Sequence, residues 1–145
     1  MSISDTILFV EDDENDAFLV LTALSKAGVE NPVVHVVNGE EALSYLAGTG
    51  PYADRAAHPF PCLVVTDLKM PRLSGFDLLS RAKPILDSTH LPVVVLSSSA
   101  SESDKERSLQ LGAQAYFTKP PDFNGLVRLA NELKQSWLAA ADLPA

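Results

Sequence analysis

The amino-acid sequence predicts an α/β fold: a doubly wound, five-stranded parallel sheet with strand order 2-1-3-4-5. Short β-branched runs recur five times with helical patterns between them. Three of those runs, residues 7–10, 63–66 and 93–96, are almost wholly apolar, as strands covered on both faces by helices must be. Strict alternation with short connections implies right-handed crossovers. For five strands the order 2-1-3-4-5 makes strands one and three neighbours at the switch point, where ligands bind beyond the carboxyl ends of the strands.

The elements follow in order. Strand one, 7–10, leads into a helix with Ala17, Leu21 and Leu24 on one face and Gly28 as its stop. Strand two covers 33–37. Asn38 with Glu41 three residues on fits a capping box ahead of Ala42, Leu43 and Leu46. Residues 48–61 hold two glycines and three prolines in a loop longer than the usual two to six residues, a surface elaboration or a partner contact. Strand three, 63–66, precedes a helix with Phe76, Leu79 and Lys83 after Gly75, which Pro84 is expected to break or bend. Strand four, 93–96, is followed by a helix over 101–111 that stops at Gly112. Strand five, 115–118, precedes a last helix from near Asp122 to about Ala139.

A chain of 145 residues supports one domain, 1–145, with a core over about 5–139 and a short extension at 140–145. Hydrophobic residues make up 46% and charged ones 21%, the balance of a globular protein. A formal charge of −8 argues against sequence-independent nucleic-acid binding, which needs clustered Lys and Arg. Cys62, the single cysteine, sits in an apolar run and reads as a buried, inert thiol. The N-terminus, MSISDTILFVEDDE, has no basic region and reaches carboxylates after four apolar residues, so neither a signal peptide nor a membrane span is expected, and a cytoplasmic protein is.

Chemistry concentrates at one sheet edge. Strand one is followed by Glu11-Asp12-Asp13-Glu14, and strand three ends at Asp67. With the predicted order, Glu11, Asp12 and Asp67 converge, and carboxylates that close oppose one another's ionisation unless a cation intervenes. All-oxygen donors without His or Cys suit Mg²⁺ better than Ca²⁺ when few carboxylates are joined by water and a phosphate oxygen. The plainer alternative is a solvated acidic helix N-terminus. Strand four ends in Ser97-Ser98-Ser99 and strand five in Lys119, so a hydroxyl and an ammonium meet the carboxylates, a site for a transferring phosphoryl group.

These residues resemble the response-regulator receiver domains of two-component signalling, which share the flavodoxin-like strand order. The resemblance rests on Glu11-Asp12, on Asp67 with Met70-Pro71 and Gly75, on Ser97, on Tyr116 and on Lys119-Pro120, and it spans nearly the whole chain. It implies that Asp67 is the phosphoacceptor for a histidine kinase. Mg²⁺ would then be held by Asp12 and Asp67, by Glu11 directly or through water, and by the backbone carbonyl of Lys69. Lys69 stands where many receivers carry Asn, and a backbone ligand tolerates that change. Ser97 and Lys119 would contact the phosphoryl oxygens and Tyr116 would act as the switch aromatic, with a cis Lys119-Pro120 bond. Such a protein is a regulator and not an enzyme in the ordinary sense.

The loop with Tyr52, Ala53, Arg55 and Pro59, together with Trp137-Leu138 and Leu143-Pro144, resembles regulators partnered with phytochrome-type kinases. On the last helix Phe123, Leu126, Val127, Ala130, Leu133 and Trp137 share one face, and Leu129 and Leu138 widen it beyond what one sheet face demands. A neighbouring helix could cover one flank; the regulators that this chain resembles use that face for two-fold dimers, and the resemblance therefore implies a homodimer through helix four, strand five and helix five, strengthened by phosphorylation. Two rivals are weaker. A haloacid-dehalogenase-type phosphatase wants a second Asp where Lys69 stands, and a pseudo-receiver would lack chemical positions that are all filled here.

Overall fold

The computed structural model describes residues 5–138. The strands are β1 (Ile7–Val10), β2 (Val33–Val36), β3 (Leu63–Thr66), β4 (Val93–Ser97) and β5 (Ala115–Thr118), all parallel, in the order β2-β1-β3-β4-β5. The helices are α1 (Glu14–Lys26), α2 (Gly39–Ala47), α3 (Gly75–Thr89), α4 (Glu102–Gln110) and α5 (Phe123–Leu133). The predicted topology is the observed one.

Alternation of side chains along buried strands divides the core in two. Leu8, Val10, Val64 and Val95 face one layer with Ala42, Tyr45, Leu78 and Leu79 of α2 and α3. Ile7, Phe9, Leu63, Val65, Val94 and Leu96 face the other, against Ala17, Val20, Leu24, Leu126 and Leu133 of α1 and α5. Each residue of β1, β3 and β4 is buried, which is why those runs carry no polar alternation.

Helix starts are local and hold as expected. Asn38 accepts from the Glu41 N–H and Asp122 from the Gly125 N–H. The return bond of the α2 box goes from the Val37 N–H to Glu41 Oε2, so the chain leaves β2 at Val36, one residue earlier than predicted. Ser74 and Asp77 form a capping box on α3 that the reading above did not single out.

Several expectations are corrected. Pro84 does not end α3, which runs on to Thr89. Pro84 is exposed, so water can reach the Ser80 carbonyl that lacks its helical donor, while Leu79 and Ala82 before it and Ile85 and Leu86 after it hold the helix to the core. Cys62 is half-buried, at the margin of the α1–α5 layer. The last helix is α-helical to Leu133 and widens into a π-helical turn at Lys134–Leu138; residues 139–145, with Leu143-Pro144, lie outside the described residues. That turn carries Trp137 edge-on to Phe117 and buries Leu138 to 4% exposure. Leu138 and Leu129 both pack within the chain's own α1–α5 layer, so the apolar excess read from α5 is covered intramolecularly.

Gly50–Tyr52 forms a 3-10 turn in the long loop, and the Tyr52 ring meets Tyr45 at a tilt while His58 packs edge-on to both. No helix among the described residues is long and apolar enough to cross a membrane.

Candidate functional site

β1 and β3 end side by side, Val10 opposite Thr66, so the residues that follow them leave the sheet together at the switch point. The Asp67 N–H donates to the Val10 carbonyl at 3.1 Å and the Glu11 N–H to Val36 at 3.0 Å, which carries sheet order one step past the strand ends. Ligand-type oxygens of Glu11, Asp12 and Asp67 all lie within 4.8 Å of one another. Glu11 and Asp67 are buried and Asp12 is exposed.

Lys119 closes the crevice from β5. Its N–H donates to the Ser97 carbonyl at 2.7 Å, tying the ends of β4 and β5 together. Its ammonium, with the side chain 12% exposed, meets Glu11 Oε1 at 2.6 Å, Asp16 Oδ2 at 3.0 Å and Asp67 Oδ2 at 3.1 Å. Three N–H donors thus find three carboxylates. The Lys119–Pro120 bond is trans, as are all peptide bonds among the described residues, and the ammonium reaches the crevice in that geometry.

The electrostatics follow from burial. Burial pushes the Glu11 carboxyl up to about 7; the Asp67 charge adds to the rise, and the Lys119 ammonium and Asp13 N–H oppose it. Burial alone would lower Lys119, but its hydrogen bonds to Glu11 and Asp16 and the charges of Asp67 and Glu11 overcome that, and its pKa lies well above the usual lysine value. Two buried carboxylates and an exposed third, partly balanced by one ammonium, leave a net negative crevice of oxygen donors. That donor set fits a hard divalent cation.

Asp67 is fixed on both sides. Its Oδ1 accepts from the Leu68 N–H at 2.6 Å and its Oδ2 faces Lys119. The start of α3 comes so close that a Cβ at Gly75 would overlap the Asp67 carbonyl oxygen, so glycine is required there by approach. Lys69 is exposed on the loop beyond. Ser97 is buried at the end of β4, and its Oγ accepts from the Ser99 N–H. The Tyr116 hydroxyl donates to the Ser99 carbonyl at 2.6 Å while its ring packs on the α3 side of the sheet.

Six of the seven predicted positions, Glu11, Asp12, Asp67, Lys69, Ser97 and Lys119, therefore lie at the carboxyl edge of the sheet or on the loops leaving it, and Tyr116 lies within β5 opposite Val95. Two residues escaped the sequence reading. Asp16, on the first turn of α1, is indistinguishable in sequence from any acid at a helix N-terminus, yet it holds Lys119 from 103 positions away. His35 of β2 pairs its Nε2 with the Glu11 carbonyl at 2.8 Å and stacks on Phe9; strand register, which no local signal announces, puts it there.

Comparison with known proteins agrees with this geometry. The family model described as "Response regulator receiver domain" matches residues 7–131. The response regulator Rcp1 of a Synechocystis strain is 31% identical over 139 residues, which cover 96% of this chain and 92% of that protein. Among solved structures, the phosphorylated cyanobacterial phytochrome response regulator RcpA superposes with a TM-score of 0.85 at 34% identity, over 99% of this chain and 100% of that one. The Mn²⁺-bound form of Rcp1 superposes with a TM-score of 0.82 at 30% identity, over 97% and 99%. Glu11, Asp12 and Asp67 form the acidic magnesium pocket of that fold. With its strand order, carboxylate pocket and Lys119 in place, this chain belongs to the response regulator receiver domain family.

Proposed function

We propose that this receiver takes a phosphoryl group from a histidine kinase onto Asp67 in a Mg²⁺-dependent reaction and signals through altered protein contacts. The observation that carries this reading is the Lys119 ammonium seated on Asp67 Oδ2 inside the carboxylate pocket, because it places a positive charge beside the oxygens where negative charge develops in transfer. An Asp67 carboxylate oxygen attacks phosphorus, the new O–P bond forms, and the N–P bond of the donor breaks with its electron pair leaving on the imidazole. Bound Mg²⁺ supplies charge neutralisation on the transferring oxygens. Glu11, Asp12, Asp67 and the Lys69 carbonyl would hold it. Ser97 and Lys119 would each contact a phosphoryl oxygen.

Ser97 and Tyr116 form the proposed switch. Ser97 Oγ accepts from the Ser99 N–H and the Tyr116 hydroxyl donates to the Ser99 carbonyl, so a movement of Ser97 toward a phosphoryl group pulls on Ser99, the residue that the tyrosine holds by its other backbone group. The likeness to the phytochrome response regulator RcpA supports a phytochrome-type kinase as donor, and the formal charge of −8 argues against nucleic acid as a partner. Homodimerisation through α4, β5 and α5 completes the reading. It is supported by the incompletely covered β5 and by exposed Leu109 on α4, and no longer by Leu138. Sedimentation with and without acetyl phosphate tests it, and Leu109→Glu should weaken any association.

The decisive experiment is intact mass after incubation with acetyl phosphate and Mg²⁺. A single phosphoryl adduct that vanishes in Asp67→Asn is expected, whereas labelling of that variant at the wild-type level refutes the assignment.

A further inference from the structure

Lys119 has three carboxylate partners, and two of them, Glu11 and Asp67, belong to the magnesium pocket. Ammonium and cation therefore compete for the same two side chains. The third partner, Asp16, stands outside the pocket. Its backbone is fixed by the α1 cap, where the Asp16 N–H donates to Asp13 Oδ1 at 2.9 Å, and its side chain remains 44% exposed.

Beside this pair an open groove of about 230 Å³ runs between α1 and the start of α5, lined by Asp16, Leu19, Lys119, Pro120, Phe123 and Leu126. An ammonium released by Glu11 and Asp67 can swing outward along it. A lysine that has left the crevice cannot meet a phosphoryl oxygen on Asp67.

We propose that Asp16 is a positioning residue: it is the seat that retains the Lys119 ammonium at the crevice when Glu11 and Asp67 are taken up by the cation and the phosphoryl group. The proposal rests on the receiver reading above and adds a carboxylate to it. Asp16 touches neither the acceptor nor the cation in this role. It gives the displaced ammonium a carboxylate partner that is half-exposed, so filling the pocket does not strand a buried cation.

The test is Mg²⁺ affinity of the full chain by titration calorimetry, alongside the rate of Asp67 labelling by acetyl phosphate. Asp16→Asn should weaken Mg²⁺ binding and slow labelling by about fivefold to tenfold, because the ammonium displaced from Glu11 and Asp67 is then left without a carboxylate partner. In a Lys119→Ala background the same substitution should change Mg²⁺ affinity by less than about twofold, since there is no ammonium to seat. Asp16→Glu should restore wild-type affinity to within about threefold, and Glu14→Gln, an exposed acid on the same turn, should have little effect. Should Asp16→Asn fold poorly, Asp16→Ser repeats the measurement.

Equal losses in both backgrounds would show a bulk charge effect and overturn the proposal, as would an Asp16→Asn protein indistinguishable from wild type. Either result leaves the receiver reading standing if the wild type binds Mg²⁺ and labels on Asp67. A wild type that does neither overturns both.

Discussion

Two cations are set into this molecule among opposite kinds of acceptor. The Lys119 ammonium lies among three carboxylates, two of which, Glu11 and Asp67, also line the metal pocket. The Arg55 guanidinium lies among neutral carbonyls, with Nη1 donating to Tyr45 at 2.7 Å and His58 at 3.2 Å and Nη2 to Leu46 at 2.8 Å, and it faces the Tyr45 and Phe60 rings. Tyr45 and Leu46 belong to the last turn of α2; the Tyr45 carbonyl also accepts from the Gly48 N–H at 3.2 Å, and Arg55 adds donors to both carbonyls, capping that helix and pinning the long loop to it. Carbonyls of a helix end cannot be recruited elsewhere. Carboxylates can, by a metal or a phosphoryl group. The first arrangement is therefore exchangeable and the second permanent.

The difference can be broken from either side. The largest effect is expected for Lys119→Ala, which strands Glu11 and Asp67 and should cost the metal-free protein about 4 kcal/mol. Saturating Mg²⁺ should recover most of that loss in urea denaturation. No recovery would mean that the ammonium is not exchangeable.

Next is pH. Glu11 is raised from 4.5 to about 7, so between those values the folded protein binds a proton that the unfolded chain does not. Its contribution to stability is complete below 4.5 and is lost as pH rises through 7, by roughly 3 kcal/mol. That slope should be present in metal-free wild type and absent in Glu11→Gln; its survival in the variant would assign it to another group.

The smallest effect belongs to the permanent cation. Arg55→Ala should cost about 2 kcal/mol, with no recovery by Mg²⁺ and no change in the rate of Asp67 labelling. A change in that rate would mean that the long loop communicates with the crevice.

How much was legible in advance follows the same division between local and exchangeable contacts. The three buried strands announced themselves because a strand covered on both faces has no polar position to spare. The cap at Asn38 was legible because donor and acceptor lie three residues apart. From strand order alone, Glu11, Asp12, Asp67, Ser97 and Lys119 had to meet at one edge, since each follows or ends a strand at its carboxyl end.

By itself, then, the sequence determined the element order, the sheet and the edge at which its chemistry gathers, because hydrophobic periodicity and turn chemistry act over a few residues. Only the tertiary structure decided what lies between distant segments. It placed Asp16 on Lys119 and His35 on the Glu11 carbonyl, carried α3 through Pro84 on the strength of its packing, and folded Leu138 into the chain's own core. Each of these depends on which surfaces close over one another, and that is a property of the packed layers, not of any window along the chain.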